Sequence, residues 1–247
     1  MKSNTIRKSI GKVIIAILLP IAVDWSSAQA QNEAAAGVQI NVMRIYLKPA
    51  MTERFRALHL TQTAPNQRAD GMPWRLTTHD IFGRSFEVTI STPLASFAEL
   101  DDDNFVPTEI GAALFGESVD YRERLVVQTR PDMSIPGDGI TGLRRMAYFQ
   151  VRQGRIPDFE QFWTGTVLPA MRQRGIEGYQ IFQTLIGGPQ GQYIGGLWLQ
   201  NYADLDSLGM DTLLTVDQQR EFGDLVDEYT IKVQEVDREL SWGFQGL

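Results

Sequence analysis

The chain repeats itself at a spacing of 104 residues, and no other feature restricts its fold so strongly. Phe55, Pro65, Arg68, Gly71 and Gly83 return as Phe159, Pro169, Arg172, Gly175 and Gly187. One step out of phase, Phe97-Ala98-Glu99-Leu100-Asp101 returns as Tyr202-Ala203-Asp204-Leu205-Asp206. A repeat of this length predicts two similar modules of about a hundred residues each, a usual size for a small domain. No motif of catalysis is copied with it.

The first thirty residues stand outside the repeat and read as an export signal. Lys2, Arg7, Lys8 and Lys12 form a basic start, Val13 to Val23 an apolar run, and Ala28-Gln29-Ala30 a small-x-small cleavage site before Gln31. The apolar run is shorter than the ~20 residues a membrane-spanning helix needs. The expected mature chain is therefore periplasmic or secreted, with no stable membrane insertion after cleavage. The formal net charge of −7 becomes −10 once Lys2, Arg7, Lys8, Lys12 and Asp24 leave with this segment. That balance argues against nucleic acid as a partner. The chain has no Cys, which suits an oxidising compartment and removes thiolate catalysis, iron–sulfur clusters and thiolate metal sites.

Residues 38–133 are the expected first module, 134–142 a turn-rich linker and 143–247 the second. In the first, Val38 to Leu47 alternates as a strand and Pro49 to Arg68 reads as a helix. Trp74 to Phe82 and Phe86 to Ile90 read as strands about a Gly83-Arg84 turn. Phe97 to Leu100 is a short helical piece, Thr108 to Tyr121 a helix and Arg124 to Arg130 a strand. The second repeats this order: strand 143–151, helix 157–174, strand 176–186, strand 193–200, helix 213–229 and strand 231–242. Each module is thus β-α-β-β-α-β, a ferredoxin-like order whose sheet carries helices on one face only. The bare faces need cover, and the two sheets supply it for each other. The expected fold is α+β: two tandem ferredoxin-like modules packed sheet to sheet into an intrachain α+β barrel with helices outside.

One run carries a family resemblance: Arg145-Met146-Ala147-Tyr148-Phe149, Gly154, Phe159-Glu160-Gln161-Phe162, Leu168-Pro169-Ala170, Gly175-Ile176 and Gly178-Tyr179. It resembles the NIPSNAP-like branch of the dimeric α+β barrel superfamily, which also holds antibiotic-biosynthesis-type monooxygenases and chlorite dismutase-like haem proteins. The resemblance implies the barrel and transfers no catalytic residues. It leaves the oligomeric state open between monomer and homodimer, because related barrels are often built from two chains. In the chlorite dismutase-like group the haem ligand comes from the later module. Residues 143–247 contain no His, so a haem enzyme of that type is not expected.

Candidate chemistry centres on one strand face. Alternation puts Arg75, Thr77, His79 and Ile81 on one side of their strand and the Trp74, Leu76 and Phe82 side on the other. With the Trp-rich side assigned to the helices, His79 and Arg75 look into the barrel. There they would meet Arg44 and Tyr46 of the first strand and Glu87 of the third. A His beside a carboxylate and a phenol suits acid–base work near neutral pH. His79, Tyr46 and Glu87 are therefore candidate catalytic residues. Arg44, Arg75, Tyr148, Tyr179 and Tyr193 are candidate ligand contacts, the aromatic ones suiting a flat apolar molecule. His59 aligns with Trp163 across the repeat and reads as a packing residue. Asp101-Asp102-Asp103-Asn104 reads as a solvated acidic loop. Gly195-Gly196 inside a strand suggests a bulge, or room for a ligand in the barrel. No cofactor and no metal is expected. The leading expectation is a protein that binds a small apolar or aromatic molecule in the barrel, or mediates interactions. The alternative is a cofactor-independent monooxygenase- or isomerase-like enzyme acting on an aromatic or lipophilic substrate.

Overall fold

The computed structural model describes residues 37–82, 86–101, 109–137, 141–207 and 209–244. Residues 1–30, read above as an export signal, the expected turn at Gly83-Arg84, and Asp102 to Asn104 lie outside the described residues. No helix among the described residues is long and apolar enough to cross a membrane.

In the first half, β1 (Gln39–Leu47) leads into a helical segment, α1, that begins at Thr52 and ends at Ala69, and β2 (Leu76–Asp80) and β3 (Glu87–Pro93) follow. The half ends with α2 (Glu109–Ser118) and β4 (Val119–Thr129). In the second half β5 (Leu143–Val151) leads into a helical segment, α3, that begins at Ile156 and ends at Gln173. Then come β6 (Tyr179–Ile186), β7 (Gln192–Leu199), α4 (Val216–Leu225) and β8 (Val226–Val236). The strands close in the order β1-β3-β2-β8-β5-β7-β6-β4, so each half supplies a four-stranded sheet. The sheets join edge to edge through β2–β8 and β4–β6, all antiparallel. This is the expected α+β barrel, closed within one chain. Closure leaves no free strand edge among the eight, which removes edge pairing as a route to self-association.

Both long helices carry the same interruption. α1 runs Thr52–Leu58, widens into a π turn at His59–Thr63 and resumes at Ala64–Ala69. α3 runs Ile156–Phe162, widens at Trp163–Val167 and resumes at Leu168–Gln173. The cause is Pro65 and Pro169. A proline inside a helix has no N–H to donate and its ring crowds the preceding turn, and a wider turn relieves both. The sequence reading expected unbroken helices here.

Two other boundaries differ from expectation. The helix expected over 213–229 ends at Leu225, and the strand expected over 231–242 begins at Val226 and ends at Val236. Likewise β4 starts at Val119, directly after α2. Both strands are needed along their full length to pair with β1 and β5. Beyond β8 the chain folds back along β2: the Asp237 N–H donates to the Thr77 carbonyl, the Ser241 hydroxyl accepts from the Thr77 N–H, and Trp242 forms an isolated bridge with Arg75.

The two halves are packed unequally. Between the second sheet and its helices lie Phe149, Phe159, Trp163, Tyr193 and Phe222, the first four with 0–1% exposure. Tyr179 joins them from below Gly195, where an added Cβ would stand 2.0 Å from the Tyr179 hydroxyl. Gly195 thus makes room for a tyrosine on the helix side, not for a ligand in the barrel. The first half has a smaller cluster: Met43, Ile45, Leu47, Phe55, Val88 and Ile90.

Candidate functional site

The barrel interior is divided along its axis. One end is apolar, with Ile40, Val42, Leu125, Val127, Met146, Phe182 and Ile194 in one cluster. The cavity left there is only about 30 Å³, room for a single water and not for a ligand. The barrel was the expected binding surface, and in this conformation it is filled.

The other end is a charged network. Arg44 Nε donates to Glu87 Oε1 at 2.9 Å and its Nη1 to Glu123 Oε2 at 2.9 Å. Lys232 Nζ donates to Glu87 Oε2 at 2.5 Å and pairs with Asp80 Oδ2 at 3.1 Å. Gln234 Nε2 donates to Asp80 Oδ1 at 2.9 Å. Tyr46 stacks on Tyr121 with centroids 4.0 Å apart, and Arg44 lies over the rings of Tyr46 and Tyr148. Of the residues expected to converge, the fold brings Arg44, Tyr46 and Glu87 together here, and the candidate ligand contact Tyr148 lies with them. Both Glu87 oxygens are held by cations, so this carboxylate is an anchor of the β1–β3–β2–β8 wall.

Asp80 and Glu87 share Lys232 yet shift in opposite directions. Burial works to raise both. At Glu87 the bonds to Lys232 and then Arg44 outweigh it and hold the group below its ordinary range. At Asp80 burial wins over Gln234 and Lys232, and nearby Glu87 adds to the rise. The ionised Glu87 therefore contributes stability above the usual carboxylate range, lost as pH falls through its folded value; Asp80 does the reverse. Glu87→Gln is expected to cost about 1.5–3 kcal/mol at pH 7, the scale of a hydrogen bond to a charged group. Asp80→Asn is expected to cost nothing or to stabilise. Urea unfolding of the two variants checks this, and equal losses would contradict the assignment.

His79 and Arg75 are elsewhere. The helix-facing side of β2 is Arg75, Thr77 and His79, and the barrel-facing side is Leu76, Thr78 and Asp80, the reverse of expectation. Arg75 is fully buried under α1, where Nη1 donates to Gln67 Oε1 at 2.6 Å, Nη2 meets His59 Nδ1 at 3.0 Å and Nε meets Thr77 Oγ1 at 3.0 Å. The helix supplies acceptors that the apolar end of the barrel lacks. Tyr179 and Tyr193 are also outside the barrel: Tyr179 packs on Trp163, and the Tyr193 hydroxyl donates to Glu160 of α3 at 2.6 Å. Neither lines the lumen.

His79 instead stands in a cleft of about 750 Å³ on the outer face, at the β2–β8 seam. Phe55, Val88 and Leu240 give it apolar walls, and Glu53, Glu235, Glu239 and Arg238 a charged rim. His79 pairs with Glu235 across the two strands, which puts both side chains on this face. The far wall is the 237–240 turn, tied to α1 by Arg56, whose Nε donates to Asp237 Oδ2 at 2.8 Å and which also binds Glu239. Asp237 Oδ1 in turn accepts the backbone N–H groups of Glu239 and Leu240. The cleft thus carries a half-buried imidazole and a carboxylate on neighbouring strands of one face, between apolar walls. Sequence reasoning missed Glu235 and Asp237 because the signal is strand pairing between residues 156 apart. Among the described residues no three His, Asp or Glu side chains gather as a metal site requires.

No family model matches the sequence, and no curated protein matches it. Solved structures do. A candidate monooxygenase from Fusobacterium nucleatum has a TM-score of 0.56 at 9% identity, over 86% of this chain and 97% of its own. An anthrone oxidase-like protein has a TM-score of 0.56 at 12% identity, over 87% and 97%. A chlorite dismutase from Candidatus Nitrospira defluvii has a TM-score of 0.52 at 10% identity, over 86% and 98%. Residues 143–247 contain no His to serve as an axial haem ligand, and Phe149, Phe159, Trp163 and Tyr193 fill the space between the second sheet and its helices. At these identities the likeness is one of architecture, and the fold of this chain is that of the dimeric α+β barrel proteins.

Proposed function

We propose that the protein binds a small aromatic or lipophilic molecule in the outer cleft at the β2–β8 seam. The observation that carries this reading is the 750 Å³ cleft with His79 on its floor, set against a lumen of 30 Å³. Pockets that hold small molecules run to ~300–1,000 Å³, with apolar walls and a few placed polar groups.

A second reading goes further: cofactor-independent oxygenation at the same cleft. The pairing of His79 with Glu235 favours it, as do the neighbours described as candidate monooxygenases and as anthrone oxidase-like. In that reaction His79 takes a proton from the acidic carbon of a substrate such as anthrone. The carbanion reacts with O2, and the product is anthraquinone plus one water. General-base catalysis contributes ~10²–10⁴-fold. Oxygen consumption with anthrone is thus expected to fall by that factor in His79→Ala, with anthrone binding retained by calorimetry. An unchanged rate in the variant rules out the second reading, and absence of binding in the intact protein rules out the first. The sequence of residues 1–30 supports export, so the reaction belongs outside the cytoplasm. The run from Arg145 to Tyr179 supports the NIPSNAP-like branch.

A further inference from the structure

The apolar end of the barrel is stoppered by the chain itself. After β8, Trp242 exchanges backbone hydrogen bonds with Arg75, 2.9 Å each way. Gly243 then turns with φ +64°, a conformation and a position that exclude a side chain, since a Cβ would stand 2.1 Å from the Pro73 carbonyl oxygen. The turn delivers Phe244 to the lumen. Its ring meets Trp74 edge-on at 5.0 Å and Trp198 at 6.1 Å, and it lines the 30 Å³ cavity.

The same cavity is lined by Arg144, a cation with no carboxylate in ion-pair contact among the described residues. Arg144 is 6% exposed and lies over the Trp198 ring at 5.5 Å. The hydrogen bond it makes is from Nη2 to Gln234 Oε1, at 3.3 Å, and its Nε is buried with no partner. An unpartnered buried donor on a guanidinium is costly, by ~1–3 kcal/mol, and a folded chain keeps it only where something offsets it. Arg75, the other buried arginine described above, has acceptors for all three of its nitrogens.

We propose that the apolar end of the barrel is a second binding site, for an aromatic carboxylate whose ring displaces Phe244 and whose carboxylate pairs with Arg144. The phenyl ring of Phe244 marks where the ligand ring would lie, and Trp198 touches both the ring and the guanidinium. A planar carboxylate accepts from Nε and Nη2 together, the bidentate geometry that makes Arg the preferred partner of carboxylates. With Phe244 in place the site is shut, so the ligand competes with the chain's own side chain and its apparent affinity is reduced by the fraction of time the stopper is out.

The test uses benzoate, with benzamide as its uncharged counterpart, and the full chain. In Phe244→Ala the Kd for benzoate by calorimetry is expected to fall at least tenfold relative to the unmodified protein, with no such preference for benzamide. Adding Arg144→Met is expected to abolish the benzoate preference while urea unfolding shows the variant still folded. Should Arg144→Met fail to fold, the benzoate–benzamide contrast in Phe244→Ala alone decides. Equal affinities in Phe244→Ala and the unmodified protein, or equal binding of the two probes, would overturn the proposal. His79→Ala is expected to leave benzoate binding unchanged, which separates this site from the outer cleft.

Discussion

Trp163→Ala is expected to destabilise the protein by about 3–5 kcal/mol, the range for emptying a large aromatic from a close-packed core. Trp163 has no exposed surface and is the centre of the second half. It meets Phe149 edge-on at 5.2 Å, Phe159 at 5.7 Å and Tyr179 at 5.8 Å, and its indole N–H donates to the Met133 carbonyl at 3.0 Å. The last contact ties α3 to the segment between the halves. Trp163→Phe keeps most of the packing and deletes that hydrogen bond, leaving a buried carbonyl unpaired. Its expected cost is smaller, about 1–3 kcal/mol. Chemical denaturation of the three proteins reads both numbers. A loss below 1 kcal/mol in the alanine variant would mean that the aromatic cluster collapses around the gap and that Trp163 is not its centre.

Residues 104 apart make the two halves comparable, and the comparison shows what a sequence can carry. Period-2 alternation correctly groups Arg75 with Thr77 and His79, and Leu76 with Thr78, because it follows from the pleat. It does not say which group faces the barrel. The Trp-rich side of β2 reads as the helix side by hydrophobicity, yet the apolar end of the lumen takes Leu76 and Trp74. Helix α1 meanwhile receives an arginine because His59 and Gln67 are there to accept from it. On β1 alternation puts Arg44 and Tyr46 on one face, and the structure turns Met43, Ile45 and Leu47 the other way, into the first core. Tyr179 and Tyr193 mislead for the reason Arg75 does: an aromatic is at home on either face, and only Gly195 and Glu160 decide the matter. The cleft is the least legible feature. It depends on β2 meeting β8 at the seam and on Arg56 holding the 237–240 turn, and neither contact leaves a local mark in the chain.

His59 shows how a residue that aligns with a core tryptophan imposes a pH dependence. Burial, reinforced by the adjacent Arg75 cation, pushes its pKa down to about 3, so it stays neutral in the fold and accepts from Arg75 through Nδ1. In the unfolded chain a His titrates near 6.5. Between these values the unfolded chain binds a proton and the folded protein does not, so stability is present above pH ~6.5 and is lost as pH falls toward ~3, at about 1.4 kcal/mol per pH unit. Between pH 7 and pH 4.5 His59 alone is expected to remove about 2–3 kcal/mol. Other groups add to acid lability, and a variant isolates this one. In His59→Asn the amide oxygen takes the place of Nδ1 as acceptor for Arg75 and carries no proton in this range. Urea unfolding at pH 7, 5.5 and 4.5 should show the intact protein losing about 2–3 kcal/mol more than His59→Asn. Parallel losses in the two proteins would mean that the imidazole binds its proton in the fold as readily as outside it, and that the buried pair with Arg75 opens before the protein does.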